Sequence, residues 1–249
     1  MLTWIAEEHP PPLAWVFVFL CAQAGYLFDR VKLTRSRMDP SDAISQPRRF
    51  LTLLRHDRGV RAVIAAELIA AGVIGWWIWA PLTIVPAGVV AVIWWYAGRP
   101  ADPARPRPKD WAYTKGLFIA SAHTMLGVGP LLSPASDPHP VRLILGLVVL
   151  AGLVFADAIL CDLDDRDADA TYGTMTIPVR AGRRGAWVVA TVSYACAALA
   201  GFAVLPVPHA SLFAGLIFAT TLIAACLTHR RDFIDARLVF IALACLLIA

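Results

Sequence analysis

The chain has 249 residues, of which 59% are hydrophobic and 16% are charged, and its mean hydropathy is +0.65. This composition excludes an ordinary soluble domain. It predicts an integral, multi-pass protein of the lipid bilayer, because several apolar runs approach the ~20 residues that cross a ~30 Å hydrocarbon core as a helix. The net charge of +4 comes from polar loops, so we interpret it as a topology signal and a contact with anionic lipid, not as a nucleic-acid-binding surface.

The predicted elements are about eight transmembrane helices in one all-α bundle, which makes residues 1–249 a single domain. The first run is expected to remain as a span, because Glu7 and Glu8 stand where a signal peptide carries positive charge. In chain order, the predicted spans cover roughly 12–28, 60–80, 82–98, 116–134, 141–161, 185–204, 211–228 and 236–249.

The distribution of basic residues predicts the orientation of the bundle. Every Lys and Arg except Arg142 lies in, or directly borders, the loops after spans one, three, five and seven. By the positive-inside rule these loops are cytoplasmic, in the inner membrane if the source is bacterial, and both termini lie on the other side. Long polar loops are predicted at 29–59, 99–115 and 162–184. The Pro-rich stretch 99–110 is predicted to be an extended connector whose basic residues determine topology.

The most informative segment ends the fifth span, where six aspartates occur between Asp157 and Asp169. A carboxylate in or beside a membrane is costly unless it is hydrated, paired or bound to a cation. If the fifth helix continues past Cys161, then Asp162, Asp165 and Asp169 share one helical face. Such hard oxygen ligands suit Mg²⁺, which prefers one or two carboxylates together with substrate phosphates. The alternative is a hydrated cytoplasmic loop that caps the helix.

The residues after these aspartates extend the pattern. Gly173 predicts a turn, and Thr176 and Pro178 restart ordered chain. The string from Asp162 to Arg180 reads Asp-x-x-Asp-x-x-x-Asp-x-x-x-Gly-x-x-Thr-x-Pro-Val-Arg. It resembles the second aspartate-rich motif of the UbiA-type membrane prenyltransferase superfamily.

This resemblance implies an all-helical bundle and a chemistry. Such enzymes transfer a prenyl group from an allylic diphosphate to an aromatic or other lipophilic acceptor, with Mg²⁺ held between two aspartate-rich loops. The resemblance implies that Asp162, Asp165 and Asp169 hold metal and are catalytic. Asp29 is expected to contribute from the opposite side.

The first motif of that superfamily, roughly Asn-x-x-x-Asp, then a further Asp and a basic tail, is only partly present. In this chain Gly25 stands where the asparagine is expected, and Leu33 stands where the second aspartate is expected. Asp29 is retained, and Pro47-Arg48-Arg49 resembles the basic tail. Asp39 is a substitute for the missing aspartate if the loop folds back. The superfamily also usually has nine spans.

The resemblance implies four further residues for substrate binding. Arg180 and Arg49 would donate to the diphosphate, because a guanidinium forks onto phosphate oxygens. Lys115 precedes the fourth span and is either a diphosphate ligand or a snorkelling lysine at a helix start. Tyr172 lies near the aspartates and would contact substrate.

Three alternatives stay open on the sequence. The incomplete first motif is compatible with a degenerate relative that binds prenyl lipid or a partner without catalysis. A cyclase that acts on the prenyl chain alone would carry the same carboxylates. A cation transporter is disfavoured, because the acids cluster at one end and the halves show no inverted repeat. The acceptor, the prenyl length and the oligomeric state are not encoded in any motif.

Overall fold

The computed structural model describes residues 12–99, 102, 104–128, 139–227, 233, 234, 236 and 237. This part of the chain is all-α, as predicted. Its helices are α1 (Pro12–Val31), α2 (Pro40–Ser45), α3 (Pro47–Arg55), α4 (Asp57–Ile78), α5 (Val85–Ala97), α6 (Thr114–Val128), α7 (Pro140–Thr171), α8 (Ile177–Val204) and α9 (Val207–Cys226). Three short 3₁₀ segments lie at Arg35–Arg37, Ala80–Ile84 and Pro108–Asp110.

Six helical segments are long and apolar enough to cross a membrane, namely Leu13–Val31, Asp57–Ile78, Ala80–Ala97, Pro140–Thr171, Ile177–Val204 and Val207–Cys226. They match the first, second, third, fifth, sixth and seventh predicted spans. Helix α6 matches the start of the fourth predicted span, and 129–134 lies outside the described residues. The eighth predicted span, 236–249, also lies outside them except for 236 and 237.

The long helices α7 and α8 form a tight antiparallel hairpin. A Cβ atom on Gly152 would lie 3.1 Å from the carbonyl oxygen of Ser193 and 3.2 Å from Cβ of Ala197. Small residues at such a crossing let two helix backbones approach closely, which is the usual packing mode inside a membrane. The buried cluster around this hairpin also includes Tyr194 and Phe213.

The prediction of a long loop at 162–184 is wrong, because most of these residues are helical. Helix α7 continues ten residues past position 161, and α8 begins at Ile177, so only Tyr172–Thr176 connect them. The turn at Gly173 has φ +76°, as a glycine turn requires. Gly182 has φ +69° and ψ 178°, which places a kink in the first turns of α8. Helix α7 continues into polar sequence because aspartates on one of its faces, Asp162 and Asp169, pair with Lys115. This pairing stabilises the helix beyond its apolar part.

One end of the bundle carries the loops, and we call it the polar end. It is formed by the C-termini of α1, α5 and α7 together with the N-termini of α4, α6 and α8. The first of its loops is not extended, since α2 and α3 lie within the predicted loop 29–59.

Candidate functional site

The aspartate face of α7 is present at the polar end. Asp162, Asp165 and Asp169 are 4%, 7% and 4% exposed, while Asp167 on the other side of the helix is exposed. The continuation of α7 past Cys161 produces this arrangement, because residues three and four apart lie on one helical face. The three carboxylates therefore point into the protein and not into bulk solvent.

Lys115, the second residue of α6, lies between two of these carboxylates. Its Nζ is 2.8 Å from Oδ1 of Asp162 and 3.0 Å from Oδ2 of Asp169. Its side chain is 18% exposed, so these are partly buried ion pairs in which the geometry and the low dielectric strengthen the attraction. Lys115 thus lies with the aspartates, and its role toward a diphosphate stays a prediction.

Asp29 lies at the end of α1, and its partner is Lys32. The Nζ atom of Lys32 is 2.5 Å from Oδ1 of Asp29, and the lysine side chain is fully buried. The buried Tyr96 is within electrostatic reach of Asp29, Asp162 and Lys115. Asp29 and Asp162 therefore both lie in the neighbourhood of Tyr96.

A network that the sequence did not predict joins the three loops of the polar end. We call Asp39, Arg107, Lys109, Asp110 and Thr174 the loop clamp. Arg107 donates Nη1 to Oδ2 of Asp39 at 2.9 Å and makes a two-pronged contact with Asp110 at 2.8 and 2.9 Å. Lys109 Nζ is 2.6 Å from Oδ2 of Asp39. Thr174 donates its hydroxyl to Oδ1 of Asp110 at 2.8 Å, which attaches the third loop.

The loop clamp is electrostatically well compensated. Burial alone would raise the pKa of Asp39, but the charges and hydrogen bonds of Lys109 and Arg107 outweigh it and hold that pKa far below its usual range. Burial likewise opposes ionisation of Asp110, and its hydrogen bonds from Arg107 set the pKa below the ordinary value. Both carboxylates are therefore ionised at neutral pH.

Arg107, one of the basic residues in 99–110, is 1% exposed and has a structural role in the loop clamp besides the predicted role in topology. The spacing of Arg107 and Asp110 was the available signal, because oppositely charged residues three apart pair within one turn. The Asp39 partner gives no sequence signal, since it is 68 positions from Arg107. That Asp39 substitutes for the missing aspartate of the first motif stays a prediction.

Arg180, Arg49 and Tyr172 are the remaining predicted substrate residues. The guanidinium of Arg180 lies 5.2 Å from the ring centroid of Tyr113, and that of Arg49 lies 4.9 Å from the ring of Tyr26. Tyr172 is half-buried directly after the last residue of α7. Both arginines thus make cation–π contacts at the polar end, and Arg49 also donates to Oε1 of Gln46 at 3.1 Å. Their role toward a diphosphate stays a prediction.

Gly25, at the position where the first motif has its asparagine, is in close contact with α5. A Cβ atom at this position would lie 2.9 Å from Cγ1 of Val89 and 3.1 Å from Cδ1 of Ile93. The side chains of α5 therefore pack on the backbone of α1, and a larger residue at position 25 would require them to shift. Leu33, at the position of the expected second aspartate, is 54% exposed.

A second ionic cluster is buried deeper in the bundle. Tyr194 donates its hydroxyl to Oδ1 of Asp157 at 2.5 Å, and Arg237 pairs with the same carboxylate. The Arg237 guanidinium lies 4.4 Å from the ring centroid of Tyr194. The sequence signal was an arginine inside an apolar run, because such a charge requires a partner.

The α7 carboxylates fit a magnesium ion by their donor chemistry. Within the described ranges, no group of three or more His, Cys, Asp and Glu residues converges closely enough to form a protein cage for a metal. Mg²⁺ does not require such a cage, since it keeps water and takes substrate phosphates as ligands. Lys115 pairs with Asp162 and Asp169, so a metal ion on this face would share these carboxylates with its ammonium group.

The fold and site together define a polytopic helical membrane protein with a buried aspartate-rich face at one end. No family model and no curated protein sequence matches the chain. Its structure is similar to the apo structure of a UbiA homolog from Aeropyrum pernix K1, with a TM-score of 0.69 and 15% sequence identity over 99% of this chain and 93% of that one. The chain therefore has the UbiA fold, as the aspartate-rich motif predicted.

Proposed function

We propose that the protein is a Mg²⁺-dependent transferase that moves a prenyl group from an allylic diphosphate to an aromatic or other lipophilic acceptor within the membrane. The observation that carries this proposal is the face of three buried carboxylates, Asp162, Asp165 and Asp169, at the polar end of a UbiA fold. Burial of these three like charges on one face of a helix is costly, and a cationic ligand offsets that cost.

The roles of the polar residues follow from their chemistry. Asp162, Asp165 and Asp169 would hold the metal. Bound Mg²⁺ supplies neutralisation of the charge that develops on the leaving diphosphate. Lys115 is placed to donate to the same diphosphate, because its ammonium already lies between two of the carboxylates. The motif assigns Arg180 and Arg49 to the diphosphate, and their guanidinium groups would donate further charge-assisted hydrogen bonds to it.

Aromatic rings border the site on the bundle side. Tyr96 and Phe118 stack with their centroids 3.7 Å apart and their planes at 5°. Ionisation of an allylic diphosphate leaves a carbocation, which an aromatic face stabilises and which water would destroy. Tyr96 is buried, so this ring pair is suited to protect such a cation until an acceptor carbon attacks and loses a proton.

The apolar parts of both substrates require a path from the lipid. An open groove whose lining is apolar lies between the end of α1 and α5 and is formed by Phe28, Leu33, Ala87, Val90, Ala91 and Trp94. Its position next to Asp29 in the chain suits entry of a prenyl tail whose diphosphate reaches the polar end. By the distribution of basic loops, that end faces the cytoplasm.

The decisive experiment is transfer by the purified protein. Labelled allylic diphosphates of several chain lengths are incubated with a panel of quinone precursors, with and without Mg²⁺, and both pyrophosphate and prenylated product are measured. We expect both products only with Mg²⁺. Release of pyrophosphate without an acceptor, together with a cyclic hydrocarbon, would identify a cyclase instead.

A second candidate is a relative that binds prenyl lipid without catalysis. The close packing of Gly25 on Val89 and the exposed Leu33 favour it, since both replace polar groups of the first motif. The same experiment separates the candidates, because a binding protein retains labelled diphosphate and releases no pyrophosphate.

A further inference from the structure

The Asp29 side of the site already contains cations of its own. Lys32 is 1% exposed as a residue, and its Nζ is 2.5 Å from Oδ1 of Asp29. The charge of Lys109 also acts on Asp29. A carboxylate that metal-dependent relatives would offer to an ion is here in contact with an ammonium group.

The backbone of Lys32 is held in an uncommon conformation for a lysine. Its φ is +54°, in the left-handed region where a helix usually ends on glycine. A residue with a Cβ pays of order 1–3 kcal/mol there unless the surroundings fix it. Two contacts fix it: its N–H donates to the carbonyl of Phe28 at 2.9 Å, and Arg61 donates to its carbonyl at 3.3 Å. The turn that ends α1 is therefore constructed so that the ammonium points back to Asp29.

Three carboxylates on this side each contact a cation. The carboxylates are Asp29, Asp39 and Asp110, and the cations in contact with them are Lys32, Lys109 and Arg107. A divalent ion placed beside Asp29 would be repelled by the ammonium group of Lys32, since like charges repel strongly in a partly buried site.

The donor set on this side is smaller than that of the α7 face, and its carboxylates are already paired. Leu33 replaces the carboxylate that would share an ion with Asp29, and Gly25 offers no side chain. With Lys32 in contact with Asp29, and with Asp39 and Asp110 paired to Lys109 and Arg107, this side does not fit Mg²⁺. The α7 face differs, because it has three carboxylates on one side of a helix.

We propose that Lys32 is a resident cation that takes the place of a metal ion on the Asp29 side, so that divalent metal binds through the α7 aspartates alone. The inference rests on the proposed function, because it divides the metal binding of that same site between its two sides.

The test counts bound Mn²⁺ on the full-length purified protein by electron paramagnetic resonance, a readout that needs no catalysis. We expect the Asp29→Asn variant to bind as many Mn²⁺ ions per chain as the wild type. The Lys32→Met variant should bind one Mn²⁺ per chain more than the wild type. The double variant Lys32→Met/Asp29→Asn should lose the added ion. Methionine is chosen because it fills the buried space of the lysine stem without charge.

Arg35→Met is the matched control, since it removes an exposed cation of the same loop that pairs with Asp57, and it should add no ion. A lower Mn²⁺ count in Asp29→Asn, or no added ion in a Lys32→Met protein that is monodisperse and melts cooperatively, would overturn the inference. If Lys32→Met does not fold, Asp29→Asn alone decides it. Asp165→Asn tests the proposed function separately, because it should lower the number of Mn²⁺ ions bound per chain. An unchanged number would refute the assignment of the metal to the α7 aspartates. It would not affect the comparison between Asp29→Asn and the wild type.

Discussion

Charged side chains at the polar end are buried together with partners, and the partner decides what each residue can do. Asp162 and Asp169 share Lys115, whereas Asp39 is fixed by Arg107 and Lys109. An ammonium group has three N–H donors, so it can contact both carboxylates and still offer one hydrogen bond to a further acceptor. The two-pronged Arg107–Asp110 contact is geometrically fixed and suits a structural role.

Asp165 tests the catalytic assignment. We expect Asp165→Asn to lower prenyl transfer by at least ~100-fold, because loss of a charge that organises the reacting diphosphate removes electrostatic stabilisation of the transition state. The melting temperature should change little, since asparagine has nearly the same shape. The matched control is Asp167→Asn, because Asp167 is exposed on the opposite side of α7. Equal transfer by the two variants would remove Asp165 from the site.

Asp39 tests the loop clamp. Asp39→Asn should cost about 2 kcal/mol of stability, at the low end for a buried charge pair because Arg107 keeps its contact with Asp110. The folded pKa of Asp39 is depressed, so its contribution is present above about pH 4, the ordinary Asp pKa, and is lost as the pH falls toward the folded value. The gap in melting temperature between the wild type and the variant should therefore be constant from about pH 8 to about pH 5 and narrow below about pH 4. A gap that instead grew on acidification would contradict this reading of the clamp.

At the scale of single residues, the sequence predicted the common helical face of the α7 aspartates better than it predicted the partners of charged side chains. The α7 aspartates are conspicuous because carboxylates are rare beside apolar runs, and their common face follows from helical spacing. The ion pairs Lys115–Asp162 and Asp39–Arg107 join segments 47 and 68 positions apart, and no local pattern encodes such approaches.

Helices α7 and α8 form the element that carries the site. Their hairpin brings the aspartate face to the polar end and, further down, places Tyr194 against Asp157. The hairpin depends on close backbone contact, which Gly152 allows.

Gly152→Leu tests that contact. The added side chain would press on Ser193 and Ala197, and overpacking of this kind typically costs 1–3 kcal/mol. We expect a lower melting temperature together with weaker Mn²⁺ binding, because the aspartate face moves with α7. Gly215→Leu is the control, since a Cβ there meets nothing within 4 Å. Equal melting temperatures would show that the hairpin has room for a larger residue.

The existence of the helices was predictable, whereas their ends were not. Apolar runs fix the spans within the membrane, but α7 and α8 both extend into polar sequence, where side-chain pairing and not hydropathy decides whether the helix continues. The short helices α2 and α3 were missed for the same reason, since each begins at a proline in a polar loop.

On the scale of the whole molecule, the polar end unites loops from three separate parts of the chain. The fold class followed from composition and the aspartate spacing, because apolar runs of this length have few stable arrangements other than a helical bundle. The order in which the helices pack did not follow, since lipid-facing and buried apolar residues look alike in sequence.

Orientation is the prediction that belongs to this scale. In a variant without native cysteines, Ser36→Cys marks the polar end and Val207→Cys, at the first residue of α9, marks the opposite end. Both positions are exposed. The positive-inside rule predicts that a membrane-impermeant maleimide labels Val207→Cys in intact cells and Ser36→Cys only after permeabilisation. The reverse pattern would place the aspartate face outside the cytoplasm.

The loop clamp constrains how the protein is made. A chain is inserted from its N-terminus, so Asp39 emerges well before Arg107 and Lys109, and Asp110 then waits for Thr174. Until the second loop has been synthesised, Asp39 lacks both of its cationic partners and has only water and lipid headgroups in their place. A ribosome-bound nascent chain that stops before Arg107 would therefore expose an open, protease-sensitive first loop.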